Sequence, residues 1–320
     1  MLDMGGKMKV AKRDDAKSSE ESGGDMNGKV VVIGGAGFLG SHLADALTDH
    51  GYDVCVFDAR PSPWLKFGQE MILGDILNED EVSRCLENSR YVYHLAGIAD
   101  IGKAVASPRE TLEKNIIGSA IVFDACVKAG VERVMFASTI YVYSRQGSFY
   151  RVSKQAVEHM LEAYHDQFAL EYTILRYGSL YGPRSQEWNG LKRYVTQAVK
   201  EGSILYPGSG EERREYIHVK DAAQMSIAAL SPEYANERLT LTGTHALNSK
   251  ELLRMIQEIL GETVRIEFRK EERDPVHYDM TPYRFTPREG KKMVPSVFID
   301  IGQGILDLVE EVYNGLEKNR

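Results

Sequence analysis

The chain has 320 residues, of which 43% are hydrophobic and 27% are charged, and its formal net charge is -8. This length and apolar content suffice for a full buried core and exclude disorder for most of the chain. The acidic balance argues against a nucleic acid or an anionic membrane as the partner and favours a small metabolite.

Residues 1–27 combine Ser, Gly and charges of both signs, so we predict a disordered tail there. The tail lacks the apolar run of a signal peptide, and the sequence contains no stretch approaching the roughly 20 apolar residues that span a bilayer. Cys55, Cys85 and Cys126 are odd in number and widely spaced among apolar neighbours, which indicates reduced core thiols rather than disulfides or metal ligands. We therefore expect a cytoplasmic protein with no membrane span and no metal site.

From Lys29 onward, apolar strands alternate with amphipathic helices. The pattern predicts strands at 29–33, 53–57, 70–73, 91–95, 133–137 and 172–175, and helices at 37–50, 79–87, 111–128 and 150–168. It indicates an α/β fold of the Rossmann type, a doubly wound parallel sheet with helices on both faces. Beyond residue 181 the predicted elements are shorter, namely a helix at 191–201, a strand at 239–241, a helix capped by Ser249, a strand at 264–268 and a helix at 305–316.

The first strand runs directly into Gly34-Gly35-Ala36-Gly37-Phe38-Leu39-Gly40 and then into a helix. Glycines at this spacing let the backbone approach a pyrophosphate, and the helix N-terminus offers free N–H groups with a partial positive charge. Such a loop can also be only a tight turn, but its place between a strand and a helix indicates a dinucleotide site. We expect the cofactor to contact Gly34, Gly37, Phe38, Leu39 and Gly40.

Asp58 ends the second strand, where a carboxylate can accept hydrogen bonds from the adenosine ribose. This position favours NAD over NADP. Arg60 keeps an alternative open, because a guanidinium two residues further on could meet a 2'-phosphate unless it is simply a solvated loop residue.

Two more strand ends carry residues suited to a cofactor. After the third strand, Asp75 can hydrogen-bond adenine and Ile76 can cover it, although Asp75 could instead cap the next helix. The fourth strand ends in Leu95-Ala96-Gly97, whose small residues allow a cofactor ribose to pass closely. His94, just before them, is interpreted as a packed strand residue rather than a catalyst.

Tyr150 and Lys154 are four residues apart on a predicted helix and therefore share a face. An ammonium beside a phenol favours the ionised phenol, which is a general base. Lowering the pKa of Tyr150 from about 10 to about 7 requires roughly 4 kcal/mol, which one lysine and a cationic cofactor ring could supply. An exposed Tyr with a solvated Lys is the alternative for this pair alone, and the cofactor motifs favour the catalytic interpretation.

The motifs named so far are joined by Asn115-Ile116-Ile117-Gly118, Ser138-Thr139, Arg176-Tyr177-Gly178-Ser179-Leu180-Tyr181-Gly182-Pro183 and Arg214-Glu215-Tyr216-Ile217-His218-Val219. In this order they resemble the extended short-chain dehydrogenase/reductase family, in its branch of NAD-dependent sugar-nucleotide epimerases and dehydratases. The resemblance implies that Tyr150 is the catalytic base, that Lys154 binds the nicotinamide ribose and lowers the Tyr150 pKa, and that Thr139 shares the proton with the sugar. Ser138 is the alternative to Thr139, because the register rests only on Val142-Tyr143 matching a Val-Tyr pair of the family.

The resemblance also implies a contact between Arg214 and the diphosphate of a nucleotide sugar, a place for Tyr177 beside the nicotinamide, and a place for Asn115 in the cofactor site. An ion pair with the neighbouring glutamates is the alternative for Arg214. Ser179 is expected at the substrate, where the family often has Asn, so that one amide contact is missing.

The chain departs from the family in three further ways. The connection between Thr139 and Tyr150 is short and lacks the usual proline-bearing loop, Ile140-Tyr141 replace the acidic pair of hexose 4,6-dehydratases, and the C-terminal arginine motif is not recognisable. The candidates for that missing arginine are Arg273, Arg284 and Arg288.

We therefore expect an NAD-binding Rossmann domain over 28–180 and a smaller substrate-binding lobe over 181–320 that is partly interleaved with it. The expected activity is epimerisation of a nucleotide-linked sugar, with a UDP-sugar favoured and C4 as the reacting carbon, by a homodimer joined through helices 111–128 and 150–168. The alternatives are an NAD(P)-dependent reductase or dehydrogenase, a dehydratase or decarboxylase, and a cofactor-binding sensor without catalysis.

Overall fold

The structure, a computed structural model, describes residues 28–244, 246–270 and 276–282. The predicted tail at 1–27 and the predicted helix at 305–316 lie outside these residues, as do the candidate arginines Arg273, Arg284 and Arg288.

A parallel sheet of seven strands confirms the predicted α/β fold. In chain order the described strands are β1 (Lys29–Ile33), β2 (Asp53–Asp58), β3 (Gln69–Leu73), β4 (Ser89–His94), β5 (Arg133–Thr139), β6 (Tyr172–Tyr177), β7 (Ser179–Tyr181), β8 (Ser203–Tyr206), β9 (Arg213–His218), β10 (Glu237–Leu241), β11 (Ala246–Asn248) and β12 (Arg265–Phe268). The large sheet has the order β10-β6-β5-β4-β1-β2-β3, and all of its neighbouring strands are parallel. The strand order reverses beside β1, where a doubly wound sheet opens a crevice for a ligand.

Helices cover both faces of this sheet. The described α-helices are α1 (Phe38–Asp49), α2 (Glu79–Cys85), α3 (Ile101–Ala106), α4 (Pro108–Leu112), α5 (Gly118–Ala129), α6 (Ser148–Phe168), α7 (Gly190–Glu201), α8 (Val219–Ala228) and α9 (Ser249–Leu260). On one face, sheet residues such as Val31 pack with Phe123 of α5 and Leu161 of α6. On the other, Val32 packs with Leu43 of α1 and Ala222 of α8. Burial on both faces explains why the parallel strands are continuous apolar runs.

Two predicted elements differ from the structure. The helix expected at 111–128 is divided into α4, a π-helical turn at Glu113–Ile117 and α5. The N-cap of α9 is Asn248 rather than Ser249, because the Asn248 side chain accepts from the backbone N–H of Glu251 while the Glu251 carboxylate reaches back to the N–H of Asn248.

After residue 180 the chain builds two small sheets, with orders β11-β9-β7 and β12-β8, and a separate core that includes Tyr194, Ile204 and Leu253. It also returns to the large sheet, because β10 is its edge strand next to β6. The division into two domains at residue 180 stays a prediction. Among the described residues, Cys55, Cys85 and Cys126 are buried free thiols, none of the helices is long and apolar enough to cross a bilayer, and His, Cys, Asp and Glu form no cluster suited to a metal ion.

Candidate active site

A cavity of about 950 Å³ lies along the carboxyl ends of the central strands and extends towards β9. All but one of the sequence-predicted site residues line it. They are Gly34, Gly37, Phe38, Leu39, Gly40, Asp58, Asp75, Ile76, Leu95, Ala96, Gly97, Ser138, Thr139, Tyr150, Lys154, Tyr177, Ser179 and Arg214, whereas Asn115 lies behind the wall. Residues far apart in the sequence therefore meet at one site.

The glycine loop requires glycine for steric reasons. Gly34 has φ +85°, and a Cβ there would lie 2.6 Å from the backbone N of Ala96. A Cβ on Gly40 would lie 2.2 Å from the carbonyl oxygen of Gly34. The N-terminus of α1 at Gly37 carries no side-chain cap. The helix start thus offers N–H groups that no side chain caps, and the glycines let a ligand approach the backbone closely. Both features fit the pyrophosphate of a dinucleotide.

Asp58 is fixed at the end of β2 by two backbone donors. Its Oδ2 accepts from the N–H of Ala36 at 3.1 Å, and its Oδ1 accepts from the N–H of Arg60 at 3.1 Å. A carboxylate oxygen can accept more than one hydrogen bond, so Asp58 keeps capacity for ribose hydroxyls. Arg60 also lines the cavity, so both interpretations of this strand end remain in place.

Asp75 does not cap α2, and that alternative was wrong. Its Oδ1 accepts from the N–H of Leu77 at 3.0 Å in a turn that precedes the helix. The cap is Asn78, whose side chain accepts from the N–H of Glu81 at 3.3 Å. The chain makes its turn before the helix starts, which leaves Asp75 and Ile76 at the cavity wall.

Asn115 supports the cofactor wall from behind. Its Oδ1 accepts from the N–H of Ile98 at 2.7 Å, and its Nδ2 donates to the carbonyl of Ile98 and to Ser153 Oγ. A Cβ on Gly97, which has φ +142°, would lie 2.6 Å from Asn115 Oδ1. The π-helical turn that interrupts the predicted helix thus brings Asn115 against the segment after β4 and against α6.

His94 is a packed strand residue, as predicted. It is fully buried, its Nε2 is 2.8 Å from Ser119 Oγ, and burial lowers its pKa to about 3. The imidazole is therefore neutral and does not face the cavity.

Thr139, Tyr150 and Lys154 meet at the centre of the cavity. The Thr139 side chain lies beside the Tyr150 phenol and lowers its pKa. Lys154 Nζ donates to the carbonyl of Ala137 at 2.6 Å, and it lies 4.7 Å from the ring centroid of Phe136 and 6.0 Å from that of Tyr150. The predicted helix face is confirmed, because residues 150 and 154 of α6 both face the strand that carries Thr139.

The expected lowering of the Tyr150 pKa by Lys154 is not found in the protein's own groups. Burial raises the pKa of Tyr150 to about 12, and the neighbouring Thr139 side chain opposes this only in part. Burial also lowers the pKa of Lys154 to about 8, while the charge of Glu158 raises it. The effect of burial on the Tyr150 pKa is therefore larger than the effect of the Lys154 charge that the helix spacing suggested.

Ser138 and Thr139 are adjacent on β5 and make different contacts. Ser138 Oγ donates to Glu158 Oε1 at 2.5 Å, in the layer between β5 and α6. Thr139 contacts Tyr150 and accepts from the backbone N–H of Tyr141 at 3.3 Å. Both residues line the cavity, but the Ser138 hydroxyl is engaged by Glu158, whereas Thr139 lies next to Tyr150.

The far wall is aromatic and carries Arg214. Its guanidinium lies 5.2 Å from the ring centroid of Tyr278, and its charge acts on the neighbouring Tyr141, whose pKa it lowers against the effect of burial. The surface ion pair proposed as an alternative is not formed with Glu211 or Glu212, because the first pairs with Lys250 and the second accepts from Tyr206 and Ser209. Arg214 is instead half-buried and faces the cavity.

The hydroxyls of Tyr177 and Ser179, which were expected at the nicotinamide and at the substrate, each have a partner within the protein. The Tyr177 hydroxyl is 2.6 Å from Ser226 Oγ of α8, so its polar end points away from the cavity that its residue lines. Ser179 Oγ is 3.3 Å from the Tyr278 hydroxyl.

Sequence reasoning missed the segment 276–278 and Glu158. The N–H of Gly147 donates to the carbonyl of Val276 at 2.9 Å, and Tyr141 Oη is 2.7 Å from His277 Nδ1. This segment packs beside the short connection before Tyr150, and no local sequence pattern predicts that contact. Glu158 was accessible to sequence reasoning, because it follows Tyr150 and Lys154 at the same spacing of four.

A parallel sheet with a glycine loop at its switch point and a Thr, Tyr and Lys constellation beside that loop defines a dinucleotide-dependent enzyme of the Rossmann class. Residues 30–239 match the family described as the NAD dependent epimerase/dehydratase family, and the chain belongs to this family. Its cofactor is NAD.

Known relatives agree with this assignment. The chain is 26% identical over 293 residues to a putative UDP-glucose 4-epimerase of Methanocaldococcus jannaschii, covering 85% of this chain and 90% of that protein. It is also 26% identical to a UDP-N-acetyl-alpha-D-glucosaminuronate decarboxylase of Bacillus cytotoxicus, covering 75% and 83% of the two proteins. Among solved structures it resembles UDP-glucose 4-epimerase of Thermotoga maritima with UDP-glucose, with a TM-score of 0.74, 26% identity and coverage of 81% and 90%.

Proposed function

We propose that the protein is an NAD-dependent epimerase of a nucleotide-linked sugar that inverts C4. The observation that carries this proposal is the meeting of Thr139, Tyr150 and Lys154 with the glycine loop in one cavity, opposite Arg214. The epimerases among the relatives and the solved structures support it.

In this proposal Thr139 and Tyr150 transfer the proton, and Lys154 positions the cofactor. Thr139 and Tyr150 lie next to each other, and a sugar hydroxyl placed between them can pass its proton to the phenol. Gly34, Gly37 and Asp58 line the part of the cavity that would hold NAD, which would supply a hydride acceptor and donor for the sugar carbon. The Lys154 ammonium is a positive charge 6.0 Å from the ring centroid of Tyr150, and it offers N–H donors to the nicotinamide ribose. Because the Tyr150 pKa is about 12 in the protein alone, the phenol is protonated at neutral pH and requires further positive charge for activation.

Arg214 is assigned to the substrate diphosphate. A guanidinium is always charged and can bind phosphate oxygens through two parallel hydrogen bonds. Tyr141 and Tyr278 hold it without neutralising it, and Ser179 lies on the same wall. UDP-sugars are the favoured substrates because the related epimerases carry that nucleotide in their names.

The assembly is proposed to be a homodimer in the cytoplasm, joined through α5 and α6. Apolar side chains are exposed on α6, namely Phe149, Val152 and Phe168, and in the π-helical turn before α5, where Ile117 is 54% exposed. Light scattering with Val152→Glu as the interface variant tests the dimer, and a wild-type monomer at micromolar concentration would contradict it.

The function is tested with a panel of UDP-, GDP- and dTDP-sugars, with the products identified by NMR. We expect one sugar to be converted into its C4 epimer with no lasting change in the ultraviolet absorbance of the cofactor. A lasting change would identify a reductase or dehydrogenase, and release of carbon dioxide from a uronic acid would identify a decarboxylase.

A further inference from the structure

A group of buried charges lies behind the active site, between α6 and the central sheet. Glu158 follows Lys154 by one helical turn and Tyr150 by two, so the three side chains lie on one face of α6. Its side chain is only 6% exposed. A carboxylate is rarely buried this deeply unless its charge is compensated nearby.

The contacts of Glu158 join α6 to both neighbouring strands. Its Oε1 accepts from Ser138 Oγ of β5 at 2.5 Å and from Arg176 Nε of β6 at 3.0 Å, and its Oε2 accepts from Arg176 Nη2 at 2.5 Å. Arg176 Nη1 in turn donates to the Tyr143 hydroxyl at 2.6 Å. The three hydrogen bonds that this carboxylate accepts come from β5, the strand that carries Thr139, and from β6.

The surroundings of Lys154 show why this carboxylate matters. From β4 it is faced by His94, which is neutral, and from β5 by the Phe136 ring and the Ala137 carbonyl. From its own helix it is faced by Tyr150 and by Glu158, whose charge raises the pKa of Lys154 against the effect of burial. Glu158 is the carboxylate one helical turn from Lys154 on α6, and it also forms an ion pair with Arg176 of β6.

We propose that Glu158 is a positioning residue for the proposed reaction, on which this inference rests. It holds the Ser138 hydroxyl away from the substrate and supplies the negative charge that keeps Lys154 an ammonium beside the cofactor. Thr139, the next residue on β5, is then the one hydroxyl of this adjacent pair that serves the sugar.

The test measures the titration of Lys154 directly. The full chain, purified with the cofactor it retains, is labelled with ¹³C at the lysine Cε, and the Lys154 signal is assigned with Lys154→Met. In Glu158→Gln we expect its titration to move at least about one pH unit lower, because a neighbouring opposite charge typically shifts a pKa by one to three units. An unchanged titration in Glu158→Gln would overturn the proposal.

Arg176→Gln is the matched control, since it breaks the same ion pair but leaves the carboxylate. In Arg176→Gln the midpoint of the Lys154 titration should remain at its wild-type pH or move to higher pH. A purely structural role of the ion pair predicts instead the same shift to lower pH in both variants. If Glu158→Gln does not fold because Arg176 is left unpaired, Glu158→Gln/Arg176→Gln is compared with Arg176→Gln, and a lower titration is again expected.

Turnover gives the second measurement. The alkaline limb of the pH–rate profile should move to lower pH in Glu158→Gln and return part of the way in Glu158→Asp. A wild-type protein that converts no sugar nucleotide defeats the proposed function while the NMR result still decides the role of Glu158. If the enzyme is active but the Lys154 titration is the same in the wild type and in Glu158→Gln, only the role of Glu158 is refuted.

Discussion

The cofactor end and the substrate end of the cavity are built in different ways. At the cofactor end, glycines and strand termini from the first hundred residues bring backbone close to the ligand, and Gly34 and Gly40 leave no room for a Cβ. At the substrate end, aromatic rings and the Arg214 guanidinium come from segments distant in sequence. The difference teaches that backbone geometry specifies the cofactor, while side-chain packing between distant segments specifies the sugar.

The largest effect is expected at Tyr150, where the two ends meet. Tyr150→Phe keeps the ring and its packing but removes the proton acceptor, so we expect a rate loss of at least about a hundredfold, within the range of general-base catalysis. Cofactor content and thermal stability should stay at wild-type values. A variant with near-normal turnover would refute the assignment of the base.

The next prediction concerns Asp58 and the preference of the cofactor end for NAD over NADP. A carboxylate within about 4 Å of a 2'-phosphate costs up to about 4 kcal/mol at an effective dielectric of 20, so NAD should bind at least about tenfold more tightly than NADP. Asp58→Asn removes the charge, keeps one of the two acceptors that bind the N–H groups of Ala36 and Arg60, and should narrow this ratio. Equal affinities in the wild type, measured by calorimetric titration, would show that Arg60 compensates.

Arg214 tests whether the substrate end is independent. Arg214→Gln should weaken binding of a UDP-sugar by about ten- to a hundredfold, since a hydrogen bond to a charged group contributes about 1.5–3 kcal/mol. NAD affinity should not change. If NAD binding is lost instead, the two ends are not separate and Arg214 supports the fold.

Within the catalytic centre, Thr139→Val should cost more activity than Ser138→Ala. Thr139 contacts Tyr150, whereas the Ser138 hydroxyl is engaged by Glu158. Steady-state rates of the two variants, compared at equal cofactor content, decide the matter. The reverse order would move the role at the sugar to Ser138.

The smallest expected effect is on the alkaline side of the pH profile. Burial lowers the pKa of Lys154 to about 8, so its ammonium is present below that pH and is lost as the pH rises through it. Turnover should therefore decline above about pH 8 while circular dichroism shows the fold intact. A rate that stays flat until the protein unfolds would mean that the Lys154 charge is dispensable.

The sequence predicts the fold well because strands buried on both faces are apolar runs that stand out between amphipathic helices. It predicts the glycine loop and the Tyr150 and Lys154 face because both depend on local spacing. The π-helical turn at Asn115 was missed, since one wider turn barely changes the helical periodicity. The packing of Tyr278 and His277 against Tyr141 is tertiary, and so is the burial that raises the Tyr150 pKa.

The central claim is that hydrogen leaves C4 of the sugar and returns to the same carbon. The most direct measurement uses the sugar nucleotide identified by the panel, carrying deuterium at C4, with mass spectrometry and NMR of the product formed in ordinary water. We predict that the C4 epimer keeps the deuterium at C4 through many turnovers. Loss of the label to solvent, or its accumulation on released cofactor, would contradict the account.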